Sequence, residues 1–432
     1  MRGTKPLLSS IFLAAVVAAL HPAEPADAGA RRSVPGSCRH PAATAAEIDR
    51  LELLFTRLGV LSHGPPWLKD LVRRFLEARR IALQDCVRLN EVQVLGTHNS
   101  YHVEPQEPLF SFLLSVTPQA LEIQYTHPPL VTQFDDEGIR QIEIDVWTDP
   151  QGGLFAHRFG DELVGRPPFS TNPDMYAPGF KVIHIPDIDF VSTCETFVAC
   201  LREVRAWSDA HPRHLPIAVL VELKDDPPFL AIPAFAVPLP IGAADLDALD
   251  AEIRSVFPAD ELLTPDDVRG GRTTLEEAVR TDGWPTLGEA RGRVLFLMDN
   301  GDPKRALYRA GRPSLEGRVL FTNAVPGDAD AAFVKLNDPL PDPSLITDVV
   351  RDGYLVRTRA DADTHQARSG DTTQRDAALA SGAQYVSTDY PVPDPRFGTG
   401  YRVEIPGGAP ARCNPVNSPT WCRSELLETP GP

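Results

Sequence analysis

Short apolar runs recur along this chain, and helical patterns lie between several of them. The predicted strands are 92–95, 141–147, 181–185, 217–223, 293–298, 318–321, 354–357 and 385–387. The clearest helical patterns are at 194–209, 244–256, 344–351 and 372–380. Strands that alternate with helices pair in parallel, and eight such units predict an α/β fold with a closed, TIM-like (β/α)8 barrel. An open, doubly wound sheet is the alternative.

The two ends of the chain lie outside this pattern. Residues 1–30 contain Arg2 and Lys5, then an apolar run over 7–20 and small residues, which is the order of a secretory signal peptide. We therefore expect an exported, extracellular protein. Apolar residues spaced by three and four predict a helical extension over 31–88, ahead of a barrel over 89–405. Residues 406–432 are dense in Pro and Gly, and they predict an irregular surface tail.

Six cysteines suit an oxidising compartment. Their spacing suggests the local pairs Cys194 with Cys200 and Cys413 with Cys422, which leaves Cys38 for Cys86. The connectivity stays open at this point, because six cysteines allow many pairings.

The net charge of -17 argues against a nucleic-acid partner. It also gives no help in approaching an anionic membrane, so a cation or apolar contacts must attract any anionic lipid substrate. The sequence indicates no protein partner.

Polar side chains follow four successive predicted strands. They are His98 and Asn99 after the first, Glu143 and Asp145 in the second, His184 in the third, and Glu222 with Lys224 in the fourth. Each residue alone is commonly part of a solvated face or a structural contact. The active site of a parallel barrel lies at the carboxyl ends of its strands, so their shared position favours a functional site.

The residue types indicate a hard cation. Asn99, Glu143, Asp145 and Glu222 supply only oxygen atoms, which favours Ca²⁺ over Mg²⁺. His98 and His184 are then free for proton transfer. Oxygen ligands with two imidazoles suit displacement at phosphorus.

The same residues belong to longer strings. These are "LGTHNSYH", "HPPLVTQFDDEGIRQIEIDVW", "HIPDID", "VELK", "RTRADADT" and "SGAQYVSTDY". They make residues from about 89 to 405 resemble the bacterial calcium-dependent, phosphatidylinositol-specific phospholipase C family. The resemblance implies a TIM-like barrel that acts on phosphatidylinositol or a related inositol phospholipid at a membrane surface.

The resemblance also implies a role for each site residue. His98 would contact the phosphoryl group and help activate the inositol 2-hydroxyl, and His184 would protonate the diacylglycerol oxygen as a cyclic inositol phosphate forms. Asn99, Glu143, Asp145 and Glu222 would hold Ca²⁺. The general base stays open between His98 and a carboxylate, either Glu143 or Glu222.

Other assignments have competitors. His157, in a Gly-rich loop, competes with His184, which we favour because it ends a predicted strand. Lys224, Arg357 and Arg359 are candidate contacts to phosphate or inositol hydroxyls. Tyr390 is a candidate for packing on the sugar ring. Ordinary salt bridges or core packing would explain these four residues equally well.

Two other functions are compatible with a barrel. Glycerophosphodiester phosphodiesterases share a Glu-x-Asp pair and two histidines, but they open with a His-Arg-Gly style motif, so Asn99 favours the phospholipase. A non-catalytic barrel that binds inositol lipids is the alternative of another class. The joint presence of both histidines and all four oxygen ligands argues against it.

Two apolar segments follow the first and fourth predicted strands. They are 109–116, "LFSFLLSV", and 228–241, "PFLAIPAFAVPLPI". Exposed Phe229 and Phe235 would enter a lipid headgroup region. Alternatively, both segments pack against the barrel.

Overall fold

The computed structural model describes residues 36–227, 233–408 and 410–428. The predicted signal peptide over 1–30 lies outside the described residues. The strands are β1 Val92–Thr97, β2 Gln141–Trp147, β3 Lys181–Val182, β4 Ile217–Lys224, β5 Val294–Met298, β6 Leu320–Phe321, β7 Phe333–Lys335, β8 Leu355–Arg359, β9 Tyr385–Thr388 and β10 Ala411–Cys413.

Helices occupy most of the connections between the strands. They are α1 Pro41–Arg57, α2 Val60–His63, α3 Pro66–Gln84, α4 Leu109–Val116, α5 Leu130–Asp135, α6 Phe159–Leu163, α7 Phe197–Ala210, α8 Ala243–Val256, α9 Pro265–Arg269, α10 Leu275–Thr281, α11 Leu287–Ala290, α12 Lys304–Tyr308, α13 Pro343–Arg351, α14 His365–Ser369 and α15 Thr373–Ala380. A 3₁₀ helix, Pro118–Ile123, follows α4. The helical patterns read from the sequence correspond to α1, α3, α7, α8, α13 and α15.

Eight parallel strands form a nearly closed barrel, which confirms the predicted TIM-like fold. Their order around the barrel is β6-β5-β4-β2-β1-β9-β8-β7. Between β6 and β7, a single parallel bridge from Asn323 to Phe333 completes the circle. The strands are buried on both faces because side chains fill the interior and helices cover the outside.

The third barrel strand differs from the prediction. Residues 181–185 contribute only β3, which pairs antiparallel with the end of β2 and lies outside the ring of parallel strands. The eighth barrel strand is instead β7, which pairs in parallel with β8. Its three residues, Phe333–Lys335, are too short a run to predict a strand from sequence.

The long connection from β2 to β4 builds a layer above the barrel. Its apolar residues and those of α4 form a separate small core that includes Leu109, Leu113, Ile183 and Phe190. A disulfide joins Cys194 to Cys200 at the end of this connection, where α7 begins. This layer carries His184.

The N-terminal helices and the chain end are held together at the barrel. Ile48, Phe55 and Leu76 belong to a core of their own, and the disulfide Cys38–Cys86 ties the helices to the start of the barrel. Trp421 packs against both this core and the barrel core.

The tail packs against the barrel more closely than the predicted irregular surface tail would. Strand β10 pairs antiparallel with β1, and the disulfide Cys413–Cys422 follows it. Leu427 is fully buried, and Glu428 pairs with Arg140 at 2.5 Å. All three disulfides have the pairing that cysteine spacing suggested.

Among the described helices, none combines the length and the apolar character needed to cross a bilayer.

Candidate active site

Three carboxylates meet at the carboxyl ends of β2 and β4. Glu143 and Asp145 alternate with Ile142, Ile144 and Val146 along β2, which turns both carboxylates into the barrel. Asp145 and Glu222 are register partners in the parallel pair β2 and β4. Glu143, Asp145 and Glu222 each offer a carboxylate oxygen, and these atoms lie within 4.8 Å of one another.

Asn99 adds an amide oxygen next to β1. The residue has a positive φ of 44° immediately after the strand, a conformation that Asn tolerates better than most residues. Its Nδ2 donates to the Tyr125 hydroxyl at 3.0 Å, so its orientation is fixed. Among the described residues, its buried Oδ1 has no hydrogen-bond partner, and neither has either carboxylate oxygen of Asp145, whose Oδ2 forms an ion pair with Lys224 at 3.4 Å.

The electrostatics of this cluster favour a cation. Burial raises the pKa of Glu143 to about 7, although the Arg357 guanidinium opposes the shift. Burial also raises the pKa of Asp145 well above its usual range, against the opposing charge of Lys224. A divalent ion would stabilise the ionised carboxylates and satisfy the unpartnered oxygens. The donors are all oxygen, so the residues fit Ca²⁺.

His98 lies next to this cluster and is held by a buried acid. Its Nδ1 is 2.8 Å from Asp389 Oδ1, and its Nε2 is 3.9 Å from Glu143 Oε1. Burial, reinforced by the Arg359 charge, lowers the pKa of His98 well below its usual range. Asp389 is ionised, because His98 and Arg359 outweigh its burial and lower its pKa. The proton of neutral His98 therefore lies on Nδ1, and Nε2 is unprotonated, with an Arg359 guanidinium nitrogen 3.4 Å away.

His184 reaches the site from the layer above the barrel, just after β3. Its Nδ1 is 2.6 Å from Asp189 Oδ2. Burial alone would raise the pKa of Asp189, but His102 and His184 outweigh it and hold the pKa at about 2. His98 and His184 line one cavity of about 320 Å³, together with Arg359 and an apolar wall that includes Leu113 and Ile188.

Residues 87–415 match the family model for phosphoinositide phospholipase C, Ca²⁺-dependent. The chain belongs to this family. It is therefore an enzyme that cleaves a phosphodiester and uses Ca²⁺.

This phospholipase is similar to a Ca²⁺-dependent phosphatidylinositol-specific phospholipase C of known structure from Streptomyces antibioticus, with 20% identity over 70% of this chain and 95% of that chain and a TM-score of 0.44. It is also similar to a calcium-dependent enzyme from a Gram-negative Pseudomonas species, with 18% identity over 76% and 95% of the two chains and a TM-score of 0.44. No curated protein matches the sequence.

The other predicted contact residues of the phospholipase have partners inside the protein. Lys224 places its ammonium 3.4 Å from Asp145 and 3.3 Å from Glu222. Arg357 is buried and binds Glu143 from β8, across the barrel. Arg359 binds Asp389 at 3.1 Å and places a guanidinium nitrogen 3.4 Å from His98 Nε2. Of these three cations, Arg359 lines the cavity.

Two further candidates lie apart from the cavity. Tyr390 is buried beside Phe397 and Tyr401, and it is not among the described residues that line the cavity. His157 pairs with Glu162 at 3.1 Å and likewise does not line it. The geometry therefore brings together His98 and His184, and leaves His157 outside.

Sequence reasoning missed the acids that hold the two histidines. Asp389 directly follows β9, and Asp189 lies in the string "HIPDID". A signal for Asp389 was present, since a buried acid at the end of a barrel strand is a candidate site residue. For Asp189 the sequence offered no periodic signal, because its loop leaves the barrel.

The apolar segments are only partly exposed. Residues Leu109–Val116 form helix α4, in which Phe112 and Val116 are exposed. Phe235 is buried against Phe159, with ring centres 5.5 Å apart, so the expectation that it is exposed is wrong. Phe229 lies outside the described residues.

Proposed function

We propose that this phospholipase cleaves the phosphodiester of phosphatidylinositol to diacylglycerol and a cyclic inositol phosphate. The observation that supports the proposal most directly is the pair of histidines, each bound to its own buried carboxylate and both facing one cavity. The oxygen cluster lies beside them at the carboxyl ends of β2 and β4. This arrangement supplies a base and an acid on either side of a reacting phosphorus atom.

Asn99, Glu143, Asp145 and Glu222 would hold the Ca²⁺ ion. When bound, the ion supplies polarisation of a phosphoryl oxygen and makes the attacking hydroxyl more acidic. Arg357, bound to Glu143, keeps that carboxylate directed into the barrel.

His98 acts as the general base in this proposal. The unprotonated Nε2 takes the proton of the inositol 2-hydroxyl while its oxygen attacks phosphorus, and the new bond closes the cyclic phosphate. Asp389 keeps the other ring proton on Nδ1 and stabilises the imidazolium. Arg359, whose guanidinium lies 3.4 Å from Nε2, donates hydrogen bonds to the phosphoryl oxygens.

His184 acts as the general acid. As the bond from phosphorus to the glycerol oxygen breaks, Nε2 of protonated His184 gives its proton to that oxygen, and diacylglycerol leaves. Asp189 accepts the Nδ1 proton of His184 at 2.6 Å, which fixes the ring. Burial lowers the pKa of His184, and Asp189 opposes that shift by stabilising the protonated form from which the proton is given.

The substrate is reached at a membrane surface. Helix α4 lies beside the cavity, with Leu113 in the cavity wall and Phe112 and Val116 exposed. Val237 and Leu239 are exposed in the connection after β4. Burial of these side chains among lipid headgroups offsets the repulsion between an acidic protein and an anionic bilayer.

Export precedes this activity. The three disulfides require an oxidising compartment. Export is tested by the intact mass of the protein recovered from the culture medium, which removal of residues 1–30 would lower accordingly.

The reaction is tested by release of water-soluble inositol phosphate from phosphatidylinositol vesicles. We expect release in Ca²⁺, none in chelator, and none from His98→Ala. His63→Ala is the matched control, because His63 is an exposed histidine in the N-terminal helices. Phosphorus NMR of the product distinguishes the cyclic ester. Release that persists in chelator or in His98→Ala would overturn the assignment.

A further inference from the structure

A third histidine, His102, is completely buried behind the catalytic pair. It lies in the connection after β1, where its backbone N–H donates to Asn99 and its backbone oxygen accepts from His127. Its ring packs on Tyr125, with centres 4.3 Å apart, and meets His184 edge-on at 5.4 Å. His102 therefore belongs to the barrel, whereas His184 belongs to the layer above it.

The two histidines share one carboxylate. Asp189 Oδ2 lies 2.6 Å from His184 Nδ1 and 2.9 Å from His102 Nε2, and Asp189 Oδ1 lies 3.0 Å from the same His102 nitrogen. Ionised Asp189 only accepts, so both nitrogens carry protons. His102 thus binds both oxygens of the carboxylate, and it determines how Asp189 presents Oδ2 to His184.

The other ring nitrogen of His102, Nδ1, indicates why a histidine and not an apolar ring occupies this position. Its Nδ1 is buried without a hydrogen-bond partner among the described residues. An unpartnered buried nitrogen is costly, and an apolar ring of similar size would fill the same space without that cost. The hydrogen bond from Nε2 to Asp189 is what a histidine contributes here.

The loop that carries His184 is joined to the connection after β1 by main-chain and side-chain contacts. Ile185 and Asp189 bond to each other through their backbones, which fixes Asp189 relative to His184. Further along, Thr193 N–H donates to Tyr101 O at 2.8 Å, so the backbone of the loop is joined to the segment next to His102. His102 adds the contact to the Asp189 carboxylate itself, and it lies in the same connection as His98.

We propose that His102 is a positioning residue for the leaving-group step: through Asp189, it holds His184 in the place from which the glycerol oxygen is protonated. The inference rests on the proposed function. It predicts that His102 matters for substrates whose leaving oxygen is strongly basic and must receive a proton. A p-nitrophenyl ester of inositol phosphate has a weakly basic leaving oxygen and needs no proton donor.

The experiment compares kcat for phosphatidylinositol and for this aryl ester in the full mature protein. Turnover of both substrates by the wild-type enzyme tests the proposed function first. A wild-type enzyme that turns over neither substrate would overturn that function. His102→Phe keeps the ring and removes the donor. We expect it to lose roughly tenfold to a hundredfold in kcat on phosphatidylinositol and less than about threefold on the aryl ester. His184→Ala should show the same selectivity.

Rescue by a conservative variant completes the test. His102→Gln retains an N–H donor near the position of Nε2, and we expect it to recover much of the lost activity. In His102→Phe, equal losses on both substrates, or no loss on either, would overturn the proposal. If His102→Phe does not fold, as judged by thermal unfolding, then Asp189→Asn carries the comparison, and equal losses or no loss on the two substrates in that variant would overturn it.

Discussion

Nδ1 of His98 lies 2.8 Å from Oδ1 of Asp389, and this contact joins the end of β1 to the end of β9. The two strands are neighbours in the barrel, although their residues are far apart in the sequence. The pair determines which nitrogen of His98 faces the substrate cavity.

Asp389→Asn should therefore lower kcat on phosphatidylinositol by roughly a hundredfold or more, because the variant loses the charge that fixes the tautomer and stabilises the imidazolium. Asp376→Asn, an acid on α15 that pairs with Arg375, is the control and should retain full activity. Vesicle assays at saturating substrate check both. An Asp389→Asn enzyme with near wild-type kcat would contradict the role of Asp389.

Lys224 forms ion pairs with two predicted calcium ligands, Asp145 and Glu222. Lys224→Met removes a competing cation, so we expect Ca²⁺ to bind more tightly, by about tenfold for a contribution of about 1.4 kcal/mol. Titration calorimetry of Ca²⁺ measures this. A weaker affinity, or an increase in KM with unchanged Ca²⁺ binding, would instead support the phosphate contact that the sequence suggested.

The stability of the ion-free enzyme should fall as pH rises from about 5 to 7.5. The pKa of Glu143 is raised to about 7 by burial, so the folded protein binds a proton that the unfolded chain has already released. As pH rises, the free energy of unfolding falls wherever the folded state binds more protons than the unfolded state. Here we expect a fall of about 2 kcal/mol between pH 5 and pH 7.5. Urea unfolding in chelator at several pH values measures the slope.

Saturating Ca²⁺ should abolish that slope, because the bound ion stabilises the ionised carboxylate. Glu143→Gln should reduce the slope in chelator, since one titrating carboxylate is gone while Asp145, whose pKa is also raised by burial, remains. A slope that is the same in chelator, in Ca²⁺ and in Glu143→Gln would assign the pH dependence to other groups.

Phe112→Ser should weaken binding to phosphatidylinositol vesicles by roughly fivefold to tenfold, because it removes an exposed aromatic ring from the face beside the cavity. Leu53→Ser is the matched control, an exposed apolar residue on helix α1, and it should bind normally. Vesicle sedimentation measures binding, and turnover of a soluble aryl ester reports whether the site is intact. Equal binding by both variants would remove helix α4 from the membrane contact.

The sequence predicted the barrel because apolar runs such as β2 and β4 alternate with helical patterns. It brought the oxygen cluster together because its members follow successive predicted strands, whose carboxyl ends meet at one face of a barrel. The sequence analysis placed residues 181–185 in the barrel, because an apolar run does not show which strand it will pair with. It missed β7 because three residues are too few to show a pattern. The contact between Asp189 and His102 could not be predicted, because it joins two irregular connections. No periodic pattern in the sequence shows how such connections fold.

The pairing of strand β1 determines when the barrel can close during synthesis of the chain. Strand β1 is the first strand of the barrel, and besides β2 it pairs with β9 and β10, the last two strands of the described residues. Contacts of such high sequence separation form late, because the entropy of closing the intervening loop must be overcome before they contribute. His98, the proposed base, thus meets Asp389 only after β9 has been synthesised, so a nascent chain remains inactive until this last barrel strand has joined β1.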